Sequence, residues 1–161
     1  MHDILFKTPE AVFSYRVAGI CVRDGKVLLQ KPTNDTAYAF PGGHVAFGET
    51  NAETLAREFS EETGADISVG SLKWVEENFF FWGSRPCHQI CLYYMVELVN
   101  AGVLSADHAI GTESIENREF ELEFCWVPIE ELDRIEVYPT NAPGLMKKLD
   151  EGVQHFINKE T

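Results

Sequence analysis

Residues 50–63, TNAETLAREFSEET, carry the strongest local constraint in the chain. Thr50 and Glu53 form a T-x-x-E capping box, which satisfies orphan amides at a helix start. Gly64 suits the left-handed position that closes such a helix. Ala52, Leu55, Ala56 and Phe59 recur at helical offsets and predict an apolar stripe that must pack on something. Both flanks offer strands to receive it. FSYRVAGICVR (13–23) and KVLLQK (26–31) straddle Asp24-Gly25, a hairpin signature. YAF (38–40) leads into Pro41-Gly42-Gly43. SLKWVEENFFFWG (71–83) and HQICLYYMVELV (88–99) predict a long antiparallel hairpin, and FELEFCWV (120–127) a further strand. Residues 101–119 are polar and irregular and predict a loop. Pro128 opens a short helix, PIEELDR, and a last helix is predicted over 143–151. Strands around one central helix, with a helix at the end, predict a mixed β-sheet in an α/β sandwich, as one domain over 1–161.

Charge narrows the partners. Thirteen basic residues against 26 acidic ones give a net charge of −13. Such a surface repels a nucleic-acid duplex, and it repels a polyphosphate unless bound cations reverse the local field. No apolar run reaches the length of a membrane span. The start, MHDILFKTPE, has acids and a Pro where a signal peptide needs a basic start and an apolar stretch, so a cytoplasmic protein is expected. Cys21, Cys87, Cys91 and Cys125 are expected to be reduced packing residues. Cys87 and Cys91 have half of a zinc-site spacing, but no second pair accompanies them.

The helix is also an electrostatic oddity. Glu58, Glu61 and Glu62 stand at i, i+3 and i+4, so their carboxylates crowd one patch and disfavour one another's charged forms. An acidic helix face with no partner is usually just solvated. A hard divalent cation gives another answer, because Mg²⁺ and Mn²⁺ take carboxylate oxygens together with substrate phosphates. Arg57 can pair with Glu53 or Glu61 and fix their orientation. Gly42 and Gly43 allow close backbone approach, and a free carbonyl there would add a ligand. Glu49 lies at the positive end of the helix.

The full string 43–65, GHVAFGETNAETLAREFSEETGA, resembles the Nudix box, G-x5-E-x7-R-E-U-x-E-E-x-G-U, where U is a bulky apolar residue. Gly43, Glu49, Arg57, Glu58, Glu61, Glu62 and Gly64 fall on its fixed positions. Phe59 and Ala65 depart mildly at the two U positions. The wider resemblance, with FPGG before the box and WVPIEEL after it, spans about 13 to 150. It implies the Nudix fold, an α/β/α sandwich around a mixed sheet. It also implies Mg²⁺- or Mn²⁺-dependent hydrolysis of a nucleoside diphosphate linked to another moiety. By position, Glu58, Glu61 and Glu62 would be metal ligands with the Gly42 carbonyl, and Arg57 would orient them. The catalytic base would be Glu58 or a residue of a later loop near Glu116, Glu119 and Glu121, with Glu119 the first choice.

Substrate choice lies outside the box. Fifteen to eighteen positions after Gly64 stand Phe79, Phe80, Phe81 and Trp82. They replace the Pro expected of an ADP-ribose hydrolase and the Tyr expected of a dinucleoside polyphosphate hydrolase. Phe79 or Phe81 could stack on a base, although alternate aromatics of a strand are usually core. Lys31 could neutralise substrate phosphate, and Arg16 could reach the pocket. The small-molecule substrate expected is a nucleoside diphosphate derivative. A homodimer pairing the long hairpins across a two-fold axis is a further expectation. A non-catalytic nucleotide sensor on the same fold is the alternative, against which the intact glutamates count. An isoprenoid-diphosphate isomerase is a third possibility, which would want an extra Cys and Glu in the pocket.

Overall fold

The structure, a computed structural model, describes residues 2–115 and 117–160. Its strands are β1 (Leu5–Lys7), β2 (Val12–Ile20), β3 (Val22–Arg23), β4 (Lys26–Pro32), β5 (Tyr38–Ala39) and β6 (Gly42–His44). Helix α1 (Asn51–Thr63) follows, then β7 (Asp66–Trp82), β8 (Arg85–Asn100), β9 (His108–Ile115), β10 (Arg118–Pro128) and β11 (Val137–Tyr138). Helix α2 (Ala142–Met146) and β12 (Gln154–Lys159) complete the chain, with short 3-10 helices at Gly102–Ser105 and Ile129–Arg134.

The strands form two six-stranded sheets, and both are mixed. One runs β1-β2-β8-β7-β12 with β6 against β2; the other runs β11-β5-β4-β10-β9 with β3 against β4. Side chains alternate across a strand, and here the alternation sorts residues into two cores. Val17 and Leu28 pack on the side of α1, with Leu55, Phe59, Phe124 and Trp126. Their neighbours Ala18, Val27 and Leu29 pack on the opposite side, with Leu132, Ala142 and Met146 from the second 3-10 helix and α2. Both faces of the strands are therefore covered, which is the α/β/α layering expected.

Helix α1 is built as its sequence dictates. The Thr50 side chain accepts from the Glu53 amide, Glu53 reaches back to Thr50, and Gly64 closes the helix at φ 72°. Its buried side is Thr54, Leu55, Phe59, Glu62 and Thr63. Ala52 and Ala56, expected in the apolar stripe, are exposed, because the sheet is reached through the larger Leu55 and Phe59.

Several expectations are corrected. The 13–23 run does not form one hairpin strand with 26–31. It breaks at Cys21, and only β3 pairs with β4 across Asp24 and Gly25, both at positive φ, while β2 belongs to the other sheet. The segment 101–119 is not a loop: β9 pairs with β10 from His108 to Ile115. Its polar residues hid it, since only one of its faces packs on α1. The last helix stops at Met146, and the chain adds the parallel edge strand β12 instead. The hairpin β7–β8 lies inside its sheet, bordered by β12 over Trp74–Phe79 and by β2 over Cys87–Met95. Over those residues it has no free edge for the two-fold pairing expected of a dimer. Among the described residues no helix is long and apolar enough to cross a membrane. All four cysteines are free thiols, and Cys21, Cys87 and Cys91 are buried.

Candidate active site

Arg57 organises the box. Its Nε donates to Glu49 Oε2 at 2.9 Å and its Nη2 to Glu49 Oε1 at 3.0 Å. Its Nη1 donates to Glu58 Oε1 at 3.1 Å and to Glu61 Oε2 at 3.2 Å. Thr54 adds a hydroxyl to Glu49 at 2.9 Å. The Arg57 hydrogen bonds hold the Glu49 carboxyl below its usual range, and Glu49 in turn raises the Arg57 guanidinium. Glu53, the other partner open to Arg57, is used in the cap.

Glu58, Glu62 and Glu113 form the carboxylate cluster proper. Burial, then repulsion from Glu113 and Glu58, pushes the Glu62 carboxyl well above its usual range, with Arg16 opposing. Burial also raises Glu58, opposed first by a hydrogen bond shared with Glu62 and then by the pull of Arg57. Glu62 is 6% exposed, and its Oε1 is sealed in the protein with no hydrogen-bond partner. Such an orphaned oxygen is costly unless something else meets it. Glu61 stands beside the cluster with 60% of its side chain exposed, tethered by Arg57.

Two glycines make the cluster possible. A Cβ on Gly43 would stand 2.5 Å from the Glu58 carboxyl carbon, so the loop rests on that carboxylate. A Cβ on Gly111 would collide with the Glu62 carbonyl oxygen. That absence lets β9 press on α1 and brings Glu113 beside Glu58 and Glu62. Gly42, by contrast, is packed against the Val17 backbone in the β2–β6 pairing.

Glu113 was missed because its strand reads as a loop. Gly111 next to alternating residues was the available signal. Glu119 sits elsewhere. It pairs with Ser114, whereas Glu113 pairs with Phe120, so alternation turns Glu119 and Glu121 to the face away from α1. Glu116 lies outside the described residues. Lys31 also faces away from the cluster. Its Nζ is 3.1 Å from Glu123 Oε2, and His108 Nε2 meets the other Glu123 oxygen at 2.7 Å.

A cavity of about 690 Å³ opens on the other side of β2, within the range of small-molecule sites. Arg16 lines it, and its charge is also felt at Glu62 and Glu113, so this residue links cavity and cluster. The strand parity of β7 puts Phe80 and Trp82 on the same face as Glu76 and Asn78, and all four line the cavity. Phe79 lines it too, but its ring packs against His88 at 4.4 Å. Phe81 does not line it and is 53% exposed. At the floor, Tyr93 Oη and Asn158 Nδ2 each donate to a Glu76 oxygen at 2.8 Å.

Comparison with known proteins agrees with this geometry. Residues 14–148 match the NUDIX domain. An ADP-ribose pyrophosphatase of Methanocaldococcus jannaschii is 46% identical over 105 residues, which cover 60% of this chain and 58% of that protein. The chain thus spans little more than half the length of that relative. A Mycobacterium tuberculosis protein described as a putative 8-oxo-dGTP diphosphatase 2 is 30% identical over 78% of this chain and 80% of its own length. The crystal structure of a mutator MutT protein from Bacillus halodurans has the same fold, with a TM-score of 0.59 at 17% identity, covering 91% of this chain and 90% of that one. With the box on α1, its glutamates gathered against β9 and the family match running through both sheets, this chain belongs to the NUDIX domain family.

Proposed function

We propose that the protein hydrolyses the diphosphate linkage of a nucleoside diphosphate derivative with the help of Mg²⁺ or Mn²⁺. The observation that carries this is Glu62, a buried carboxylate with an orphaned oxygen, crowded by Glu58 and Glu113. The donor set is all oxygen, which suits a hard divalent cation. Glu58, Glu61 and Glu62 would hold it, with the Gly42 carbonyl as a further donor. Bound there, the cation would polarise the diphosphate and acidify a water.

The chain's own residues supply the rest. Arg57 fixes Glu58 and Glu61 and anchors them to Glu49, so the carboxylates are held before substrate arrives. Arg16 places a positive charge between cluster and cavity, where a phosphate would lie. Glu113, on β9 rather than on the helix, is free to accept the proton of the attacking water. Glu58 is the other candidate within the cluster. The cavity, with Phe80 and Trp82 on its wall, seats the nucleoside end. Similarity to proteins named as ADP-ribose pyrophosphatase and 8-oxo-dGTP diphosphatase supports a nucleotide substrate of this general class.

Cys91 and Glu76 face the same cavity as cross-strand partners, which bears on the isomerase possibility. Burial pushes the Cys91 thiol up to about 12, and Glu76 is tied by Tyr93 and Asn158. Burial holds the Cys91 thiol away from its thiolate form, and the relatives are named as pyrophosphatase and diphosphatase, so hydrolysis is the reading favoured. The test is a panel of nucleoside triphosphates, nucleotide sugars, ADP-ribose, dinucleoside polyphosphates and isopentenyl diphosphate, with Mg²⁺ or Mn²⁺. Metal-dependent release of phosphate or nucleotide is expected. A folded protein that turns over none of these nucleotides would refute the reading.

A further inference from the structure

One polar group of the cavity has its direction set from behind. Gln89 on β8 lines the cavity, and its Oε1 accepts from the Ser14 hydroxyl at 3.1 Å. Ser14 has one proton, and Gln89 takes it. The Ser14 oxygen must then accept from the Nε2–H of His44, which lies 3.0 Å away. Ser14, His44 and Gln89 are 0%, 5% and 9% exposed. Buried polar groups keep their partners, so this relay is fixed in place.

The consequence is an oriented amide. With Oε1 committed to Ser14, the Gln89 amide turns its two N–H donors to the cavity. Among the described residues no acceptor meets that nitrogen, and it is not sealed in the protein. The neighbouring carboxylate is in the opposite condition. Each Glu76 oxygen already accepts one hydrogen bond, from Tyr93 and from Asn158, so this carboxylate is held in place at the floor. Gln89 is therefore a donor held ready for a ligand's acceptor. His44 directly follows Gly43, so the relay also ties this donor to the loop that rests on Glu58.

We propose that Gln89, positioned by Ser14 and His44, is a specificity-determining donor that selects nucleobases bearing a ring carbonyl over adenine. This rests on the reading of the cavity as the seat of the nucleoside. Guanine, cytosine, uracil and thymine each carry a carbonyl oxygen with two lone pairs. Adenine has none and offers only ring nitrogens beside an amino donor. A ring nitrogen of adenine has a single in-plane lone pair and meets one N–H, with an amino group or a C–H beside it, so it answers the paired donors of Gln89 less well than a carbonyl oxygen does.

The test is equilibrium binding of GMP, CMP, UMP and AMP by calorimetry, with Mg²⁺ present, to the wild type, Q89L, Q89E and S14A. AMP is expected to bind at least about tenfold more weakly than the best of the others. Q89L and Q89E should close that gap by weakening the carbonyl-bearing ligands. In turnover of the preferred triphosphate, S14A should raise KM while kcat holds, because it loosens the donor without touching the reacting atoms. Equal binding of AMP, no measurable binding of any monophosphate, or a gap that survives in Q89L overturns the assignment. If Q89L does not fold, the wild-type ranking decides alone. A binding gap without any metal-dependent turnover would count against the hydrolase reading only, and turnover with no base preference against the Gln89 assignment only.

Discussion

Arg57 grips Glu49 with two nitrogens, at 2.9 and 3.0 Å, and so fastens α1 to the loop before it. The Glu49 carboxyl lies below its usual value because its charged form is the one Arg57 binds. A group with a depressed folded-state pKa stabilises above its unfolded pKa and loses that contribution as pH falls through the folded value. The wild type should therefore lose stability below about pH 4.5, the ordinary carboxylate value. The E49Q variant should be less stable at pH 7 by about 1–3 kcal/mol and show a flatter acid limb. Urea unfolding from pH 3 to 7 checks both. Parallel pH profiles for the two proteins would show that Glu49 is not held this way.

The charge of Glu62, the metal ligand proposed, is held at a cost to the fold. Removing its charge removes both the burial penalty and the repulsion from Glu58 and Glu113. Without metal, E62Q should be as stable as the wild type or more so, by on the order of 1 kcal/mol. Its metal-dependent turnover should fall about a hundredfold or more. Denaturant unfolding with EDTA, paired with steady-state kinetics, tests the two halves separately.

The two close glycines should separate chemistry from folding. An alanine at 43 meets the end of the flexible Glu58 side chain, which can swing away. G43A should change stability by less than about 1 kcal/mol yet lose most activity. An alanine at 111 meets the Glu62 backbone, which cannot move cheaply. G111A should cost about 2–3 kcal/mol. Thermal unfolding and kinetics of both variants check this contrast.

Parity on β7 makes a sharp distinction between adjacent aromatics. Trp82 lines the cavity and Phe81 is exposed outside it. W82A should raise KM about tenfold, in keeping with the loss of one stacking contact, while F81A should leave it within about twofold. Equal effects would mean that the cavity is not where the base sits.

The part of this site that was legible in the sequence is the part written locally. The Thr50–Glu53 cap, the Gly64 stop and the spacing from Gly43 to Glu62 all sit on one helix and its entry loop, where offsets translate directly into geometry. What was not legible depends on strand pairing. Glu113 enters the cluster only through the β9–β10 register and the Gly111 contact, and its polar strand lacks an apolar run to announce it. The same register turns Glu119 away. Of Phe79 and Phe81, the pair expected near the base, Phe79 lines the cavity and Phe81 is left outside it, because adjacent residues of a strand point to opposite faces. Gln89, Ser14 and His44 are brought together from three strands by tertiary pairing, which no spacing encodes.

The most direct trial of the cluster as a cation site is a Mn²⁺ titration followed by electron paramagnetic resonance, comparing the wild type with E62Q. The wild type is expected to quench the free Mn²⁺ signal at saturable sites, and E62Q to lose at least one of them or weaken it about tenfold or more. Identical titrations for the two proteins would contradict the assignment of Glu62 as a ligand, and with it the reading of the orphaned carboxylate as a metal site.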